Sequence, residues 1–170
     1  IEIMNSSISK NILKSVKLII VDERNRFLLQ LRDNKKNLIF KNCWNFFGGQ
    51  IENNENAFEA LIREIYEELG TYLKKKPKKV FSWKVFNHNL IIENIFYIIK
   101  VKKNTFNYKK IKEGQKMSWF SFDDLVNIDL VPAIYHNLNL IKKFSNLSNK
   151  KIVYKFEKNL LKRNCIEKKK

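Results

Sequence analysis

GGQIENNENAFEALIREIYEELGT, residues 48–71, is the stretch around which this 170-residue chain is organised. From Gly49, five residues lead to Glu55 and seven more to Arg63, with Glu64, Ile65, Glu67, Glu68 and Gly70 close behind. Ala57, Phe58, Leu61, Ile62, Ile65 and Leu69 recur at i, i+3, i+4, which predicts an amphipathic helix over 56–69. Gly70 suits the left-handed conformation that ends a helix. On that helix Glu64 and Glu68 are one turn apart, and Glu67 lies about 60° round from Glu64 at roughly 100° per residue. The three carboxylates thus share one side, next to the apolar stripe. Like charges at this spacing repel by about a few tenths of a kcal/mol per pair. Hard oxygens gathered this way suit a divalent cation such as Mg²⁺, which takes carboxylates together with substrate phosphate oxygens. Arg63 is placed to fork onto a carboxylate such as Glu55, tying the loop before the helix to the helix. A solvated acidic helix would explain the charges, but not Glu55 and the two glycines at those offsets.

These residues resemble the box of the Nudix hydrolases, G-x5-E-x7-R-E-U-x-E-E-x-G-U, where U is a bulky aliphatic residue. Gly49, Glu55, Arg63, Glu64, Ile65, Glu67, Glu68 and Gly70 match, and Thr71 stands where an aliphatic residue is usual. The resemblance covers about residues 15–145. It implies an α/β fold, an α/β/α sandwich around a mixed β-sheet, with the box as loop–helix–loop. It also implies a Mg²⁺ (or Mn²⁺) site formed by Glu64, Glu67, Glu68 and the Gly48 carbonyl.

The composition is that of a globular domain, 44% hydrophobic and 30% charged. The formal net charge of +17 invites a nucleic-acid partner. Against that, the cations are overwhelmingly lysine, and with abundant Asn and Ile they read as codon bias of an AT-rich genome. The surplus is also uneven. From Lys150 on, nine Lys/Arg face only Glu157 and Glu167, so 150–170 reads as a basic extension to a domain at 1–149. No apolar run is long enough to span a membrane. The start has no signal-peptide core. Cys43 and Cys165 fit no metal or disulfide framework; they read as free buried thiols in a cytoplasmic protein.

In chain order, Val16 to Val21 predicts one strand, Asp22 to Asn25 a turn, and Phe27, Leu29 and Leu31 a second strand. A short strand through Trp44 delivers the glycines. Lys74 to Lys79 is a basic loop. Two β-runs follow, at 80–86 and 90–101, with His88 as a turn residue. Phe106 and Tyr108 are candidate anchors of the loop at 102–112. A strand over 116–122 precedes a short helix over 124–126, capped by Ser121 or Asp123. Pro132 then opens a final helix with Ile134, Leu138, Ile141 and Phe144 as its buried stripe.

Lys112-Glu113-Gly114-Gln115 resembles the corresponding loop of MutT-type enzymes, which implies that Glu113 is a fourth carboxylate of the cluster, ahead of Glu93. The implied reaction is hydrolysis of a diphosphate bond in a nucleoside diphosphate linked to another group, with Arg63, Glu64 and Glu113 in catalytic roles. Either Glu64 or Glu113 is the proton acceptor. The partner is then a nucleotide-type small molecule, held by a monomer or homodimer. Oxidised or non-standard nucleoside triphosphates head the substrates, followed by sugar nucleotides or dinucleotides. An RNA-processing or RNA-binding role is the alternative from another class. Ile134 falls where the MutT subfamily reads the purine edge with an asparagine.

Overall fold

The computed structural model describes residues 11–87, 90–106 and 111–145. The expectations for His88, Tyr108, Cys165 and the basic extension lie outside the described residues. Six strands form one mixed sheet: β1 (Asn11–Val21), β2 (Phe27–Leu31), β3 (Trp44–Asn45), β4 (Lys78–Asn87), β5 (Leu90–Lys100) and β6 (Lys116–Phe120). The order is β3-β2-β1-β5-β4, with β6 on the other edge of β2. β1 and β5 run parallel, from Asn11 opposite Leu90 to Val21 opposite Lys100, while the other pairs are antiparallel. The helices are α1 (Ala57–Leu69), α2 (Phe122–Leu125), α3 (Pro132–Tyr135) and α4 (Leu138–Phe144).

Side-chain alternation along the central strands builds the two faces. Val16, Leu18, Ile20, Leu28, Ile95 and Tyr97 pack under Ala60, Leu61, Ile65 and Leu69 of α1. Ile19, Val21, Phe27, Leu29, Phe96 and Ile98 pack under Phe122, Leu125, Ile134 and Ile141. Full burial of side chains of this size contributes roughly 1.5–3 kcal/mol each. The expected α/β/α sandwich is therefore present, with both sheet faces covered. Among the described residues no helix is long and apolar enough to cross a membrane.

Local rules set the helix ends. Asn56 caps α1 through a capping box with Glu59, and Gly70 ends the helix at φ +64°, donating to the Tyr66 carbonyl. α2 starts at Phe122, two residues before its expected start, because Ser121 and Asp124 form a capping box. The single helix expected after Pro132 is instead two. Asn137 turns its amide onto the Ala133 carbonyl at 2.8 Å, taking an acceptor the helix would otherwise use. Cys43 is buried, but it is not a free thiol.

The β1–β2 hairpin is locked by Asp22, whose side chain is fully buried. Its Oδ1 accepts from the Arg24 and Arg26 amides at 2.9 and 2.8 Å, and its Oδ2 from the Arg26 guanidinium at 2.8 and 2.6 Å. Burial alone would raise this carboxyl, but the bonds from Arg26 and Arg24 outweigh it and hold it below the ordinary carboxylate range. The stability it contributes is therefore complete above the ordinary value and lost as the pH falls through the lower folded-state value. Asp22→Asn is expected to lower unfolding stability by about 1–3 kcal/mol near pH 7. That deficit should shrink once the parent's carboxyl is protonated. Urea unfolding across the acid range checks this; equal midpoints at pH 7 would refute it.

Candidate active site

α1 lies across the sheet so that its polar flank meets the loop after β3. That loop runs alongside β1: Leu18 N–H donates to the Phe47 carbonyl and Val16 N–H to the Gly49 carbonyl, each at 2.9 Å. Gly48, between them, has φ +116°, and a Cβ there would lie 2.3 Å from the Val16 carbonyl oxygen. Only glycine fits. A Cβ on Gly49 would lie 2.3 Å from Glu64 Oε1, so this glycine leaves the room that the Glu64 carboxylate fills.

Arg63 is the outer organiser. It forks onto Glu55 through Nε at 3.1 Å and Nη2 at 2.7 Å, as its spacing predicts. Nη1 reaches Glu64 at 2.9 Å and Glu67 at 3.0 Å, and Nη2 also donates to the Gln50 carbonyl at 3.0 Å. The bond from Arg63 holds the Glu55 carboxyl below its ordinary value.

Glu68 is the inner anchor, only 5% exposed. Its Oε2 accepts the Gly48 N–H at 2.7 Å, and its Oε1 accepts the Gln30 side-chain amide from β2. Burial pushes Glu68 up, against the pull of Lys17, the Gly48 N–H and Gln30. Burial likewise raises Glu64, although Arg63 works the other way. The sequence places the three carboxylates on one side of α1. In the fold they part: Glu68 is buried against the sheet, Glu64 lies under Gly49, and the Glu67 side chain is 48% exposed. Among the described residues no three His, Cys, Asp or Glu side chains converge on one metal position. The donor set is nevertheless hard oxygen throughout, and the Gly49 cradle holds Glu64 against the loop. These residues fit Mg²⁺ or Mn²⁺ in chemistry.

The loop carrying Glu113 docks beside this cluster. Lys112 N–H donates to the Glu68 carbonyl at 2.9 Å, and Lys112 Nζ lies 5.0 Å from the Tyr66 ring centroid. Gln115 ties the far side to Leu31 and Arg32. Gly114, at φ +86°, packs against Gln30, the residue that holds Glu68. Glu113 itself is exposed. Glu93 sits on β5 and pairs with Lys84 across to β4 at 3.9 Å.

Two participants are not picked out by the box. Lys17 donates from β1 to the Gly48 carbonyl at 2.7 Å. Its ammonium is lowered from its ordinary value by burial, with Glu68 pulling it back up. Gln30 is the other. Each has a legible signal, a polar residue set among apolar ones, Lys17 in VKLIIV and Gln30 in FLLQL.

Arg63→Lys removes the planar fork while keeping the charge. It is expected to cost about 1–2 kcal/mol of stability and to speed amide exchange across 50–55, since bonds to charged groups contribute about this much. Unchanged protection in that loop would show that Arg63 does not order it.

A family profile for the NUDIX domain matches residues 12–140. A Nudix hydrolase of uncharacterised activity from Bacillus subtilis, YvcI, is 27% identical over 121 residues, 69% of this chain and 76% of that protein. An 8-oxo-dGTP diphosphatase of Buchnera aphidicola from Acyrthosiphon pisum is 32% identical over 109 residues, 61% and 80% of the two chains. The crystal structure of a MutT protein from Methanosarcina mazei superposes with a TM-score of 0.63 at 21% identity, covering 83% of this chain and 98% of that one. With the glycines, the Arg63 fork and the anchored Glu68 all in the positions the box requires, the chain belongs to the Nudix family of pyrophosphohydrolases.

Proposed function

We propose that this protein hydrolyses a diphosphate bond in a nucleoside diphosphate linked to another moiety, with Mg²⁺ or Mn²⁺ as cofactor and nucleoside triphosphates, oxidised or non-standard ones included, as substrates. The observation that carries the reading is the closure of the Gly48–Gly49 loop on two carboxylates, Glu64 and Glu68, both raised by burial. Glu64, Glu67, Glu68 and the Gly48 carbonyl would hold the cation. Once bound, it supplies charge neutralisation for the diphosphate and a more acidic attacking water.

The chain's own residues do the rest. Arg63 fixes the direction of Glu64 and Glu67. Glu68 holds the Gly48 carbonyl in place through the neighbouring N–H. Glu64 or Glu113 accepts the water proton, and a coupled cluster need not assign it to one of them. Asn45 Oδ1 and Arg32 Nε are buried and have no partner among the described residues, which suits an acceptor and a donor for the substrate. The Buchnera relative's 8-oxo-dGTP diphosphatase activity supports a triphosphate substrate. A fully buried Ile134 does not favour recognition of a guanine edge.

The test is a panel of canonical and oxidised nucleoside triphosphates, sugar nucleotides, dinucleotides and 5′-triphosphate RNA, assayed with Mg²⁺ or Mn²⁺. Expected is release of a nucleoside monophosphate and pyrophosphate from a triphosphate, abolished by excess EDTA. Turnover that persists in EDTA after metal stripping would overturn the cofactor; exclusive turnover of another class would overturn the substrate.

Gly49→Ala should lower kcat at least tenfold with a small change in Tm, because the clash is with the tip of a side chain and displaces Glu64 rather than the backbone. Wild-type kcat would remove Glu64 from the chemistry. Glu113→Gln is expected to lower kcat about a hundredfold, within the usual range for a lost proton-transfer group. Glu93→Gln should stay within about threefold of the parent. The reverse pattern would move the fourth carboxylate from the loop to β5.

A further inference from the structure

β1 and β5 end side by side, and the Val101 N–H donates to the Val21 carbonyl at 2.9 Å. Beyond them run the hairpin turn at 22–25 and a 3₁₀ turn at Lys103–Thr105, tied by the Lys103 N–H to Glu23 Oε2 at 2.9 Å. The chain that leaves α1 at Gly70 supplies a third side. Between these segments lies a cleft of about 720 Å³, within the range of roughly 300–1,000 Å³ usual for ligand sites. Leu73, Ile99 and Phe106 give it apolar lining, and Lys74, Lys75, Lys100 and Lys102 line it as exposed residues. The two carboxylates that line it are engaged, Asp22 by Arg24 and Arg26 and Glu23 by the Lys103 N–H. The four lysines make no side-chain hydrogen bond or ion pair among the described residues. Ammonium groups gathered around one cleft raise its potential and favour an anion.

Tyr72 lines the same cleft. It is 66% exposed and stacks on Tyr66 of α1, itself 41% exposed, with ring centroids 4.6 Å apart and planes 19° from parallel. Lys112 Nζ lies 5.0 Å from the Tyr66 ring centroid, and Lys112 directly precedes Glu113. Contacts therefore link the cleft through Tyr72, Tyr66 and Lys112 to the edge of the carboxylate cluster.

We propose that this cleft and the Tyr66–Tyr72 stack together form a binding surface for single-stranded nucleic acid, with the lysines on successive phosphates and the tyrosines against bases. A basic groove interleaved with exposed aromatic rings holds single strands without reading their sequence, because every base has a π-face. A duplex keeps those faces inside its own stack. A free nucleotide would fill the cleft and leave the tyrosine stack unused, and an acidic peptide would use the lysines alone. The inference goes beyond the hydrolytic reading and does not depend on it, since binding here needs neither metal nor turnover.

The test measures fluorescence anisotropy of a labelled oligouridylate with a 5′-hydroxyl end, titrated with the full chain in EDTA over a range of KCl. The basic residues at 150–170 are present in every variant, so they cancel in the comparison. Lys74→Ser combined with Lys100→Ser is expected to weaken binding at least about tenfold and to flatten the salt slope by about 1.4, at roughly 0.7 per phosphate contact of a single strand. Lys84→Ser combined with Lys143→Ser removes the same charge from exposed positions elsewhere and should stay within about threefold of the parent. Tyr72→Ala should weaken binding about fivefold or more, the range for one lost base stack, with the salt slope unchanged. Tyr72→Phe, which keeps the ring, should match the parent. Equal losses in the two lysine pairs, or full affinity in Tyr72→Ala, would reduce the surface to diffuse charge and overturn the inference. So would a duplex of the same length, polyglutamate of matched charge or a free nucleotide that displaces the strand as well as unlabelled strand does. None of these outcomes bears on metal-dependent hydrolysis, which the nucleotide panel tests separately.

Discussion

A single buried carboxylate ties the layers of this protein together. Glu68 projects from α1 into the sheet, where it receives the backbone N–H of Gly48 on one oxygen and the side-chain amide of Gln30 on the other. A carboxylate taken out of water must have its lone pairs satisfied. Here the donors come from two different places, the loop after β3 and the middle of β2. Meeting that demand sets the depth at which α1 sits and the path of the glycine loop. The glycine follows from this constraint, because at φ +116° and against the Val16 carbonyl no other residue fits. So does the elevation of Glu68, since burial outweighs the groups that favour its charge.

Two protein cations brace the cluster and its glycine loop from opposite sides. Arg63 works on the solvent side, where its fork to Glu55 braces the loop and its remaining donors space Glu64 from Glu67. Lys17 works on the sheet side, reaching the Gly48 carbonyl from β1. The two networks meet at consecutive glycines.

The segment before β6 joins the same construction through its backbone. Lys112 extends the end of α1 by bonding the Glu68 carbonyl, and Gly114 packs on the amide that holds the Glu68 side chain. Glu113 thus rides on a loop anchored at both ends, exposed at the edge of the cluster. Glu93 is constrained differently. It is paired with Lys84 across two sheet strands, which commits it to the sheet.

Much of this was legible from residue order alone, because it depends on short-range geometry. The period of apolar residues across 57–69, the caps at Asn56 and Gly70, the alternation in the central strands and the reach of Arg63 to Glu55 are all set within about one or two helical turns or a single loop. Other features depend on distant pairings. The break at Asn137 arose because a side chain competed for the Ala133 carbonyl, which helical periodicity does not register. The parting of the three glutamates needed the sheet, since a helical wheel places them on one side but cannot say which one the sheet will bury. Lys17 and Gln30 are visible as polar residues among apolar neighbours in their strands. Their meaning came only from the register that sets β1 beside the glycine loop and β2 beneath α1. Sequence determined which residues could carry charge into this site; tertiary structure decided which of them face each other, because burial and hydrogen-bond pairing between elements far apart in the chain are properties of the packed whole.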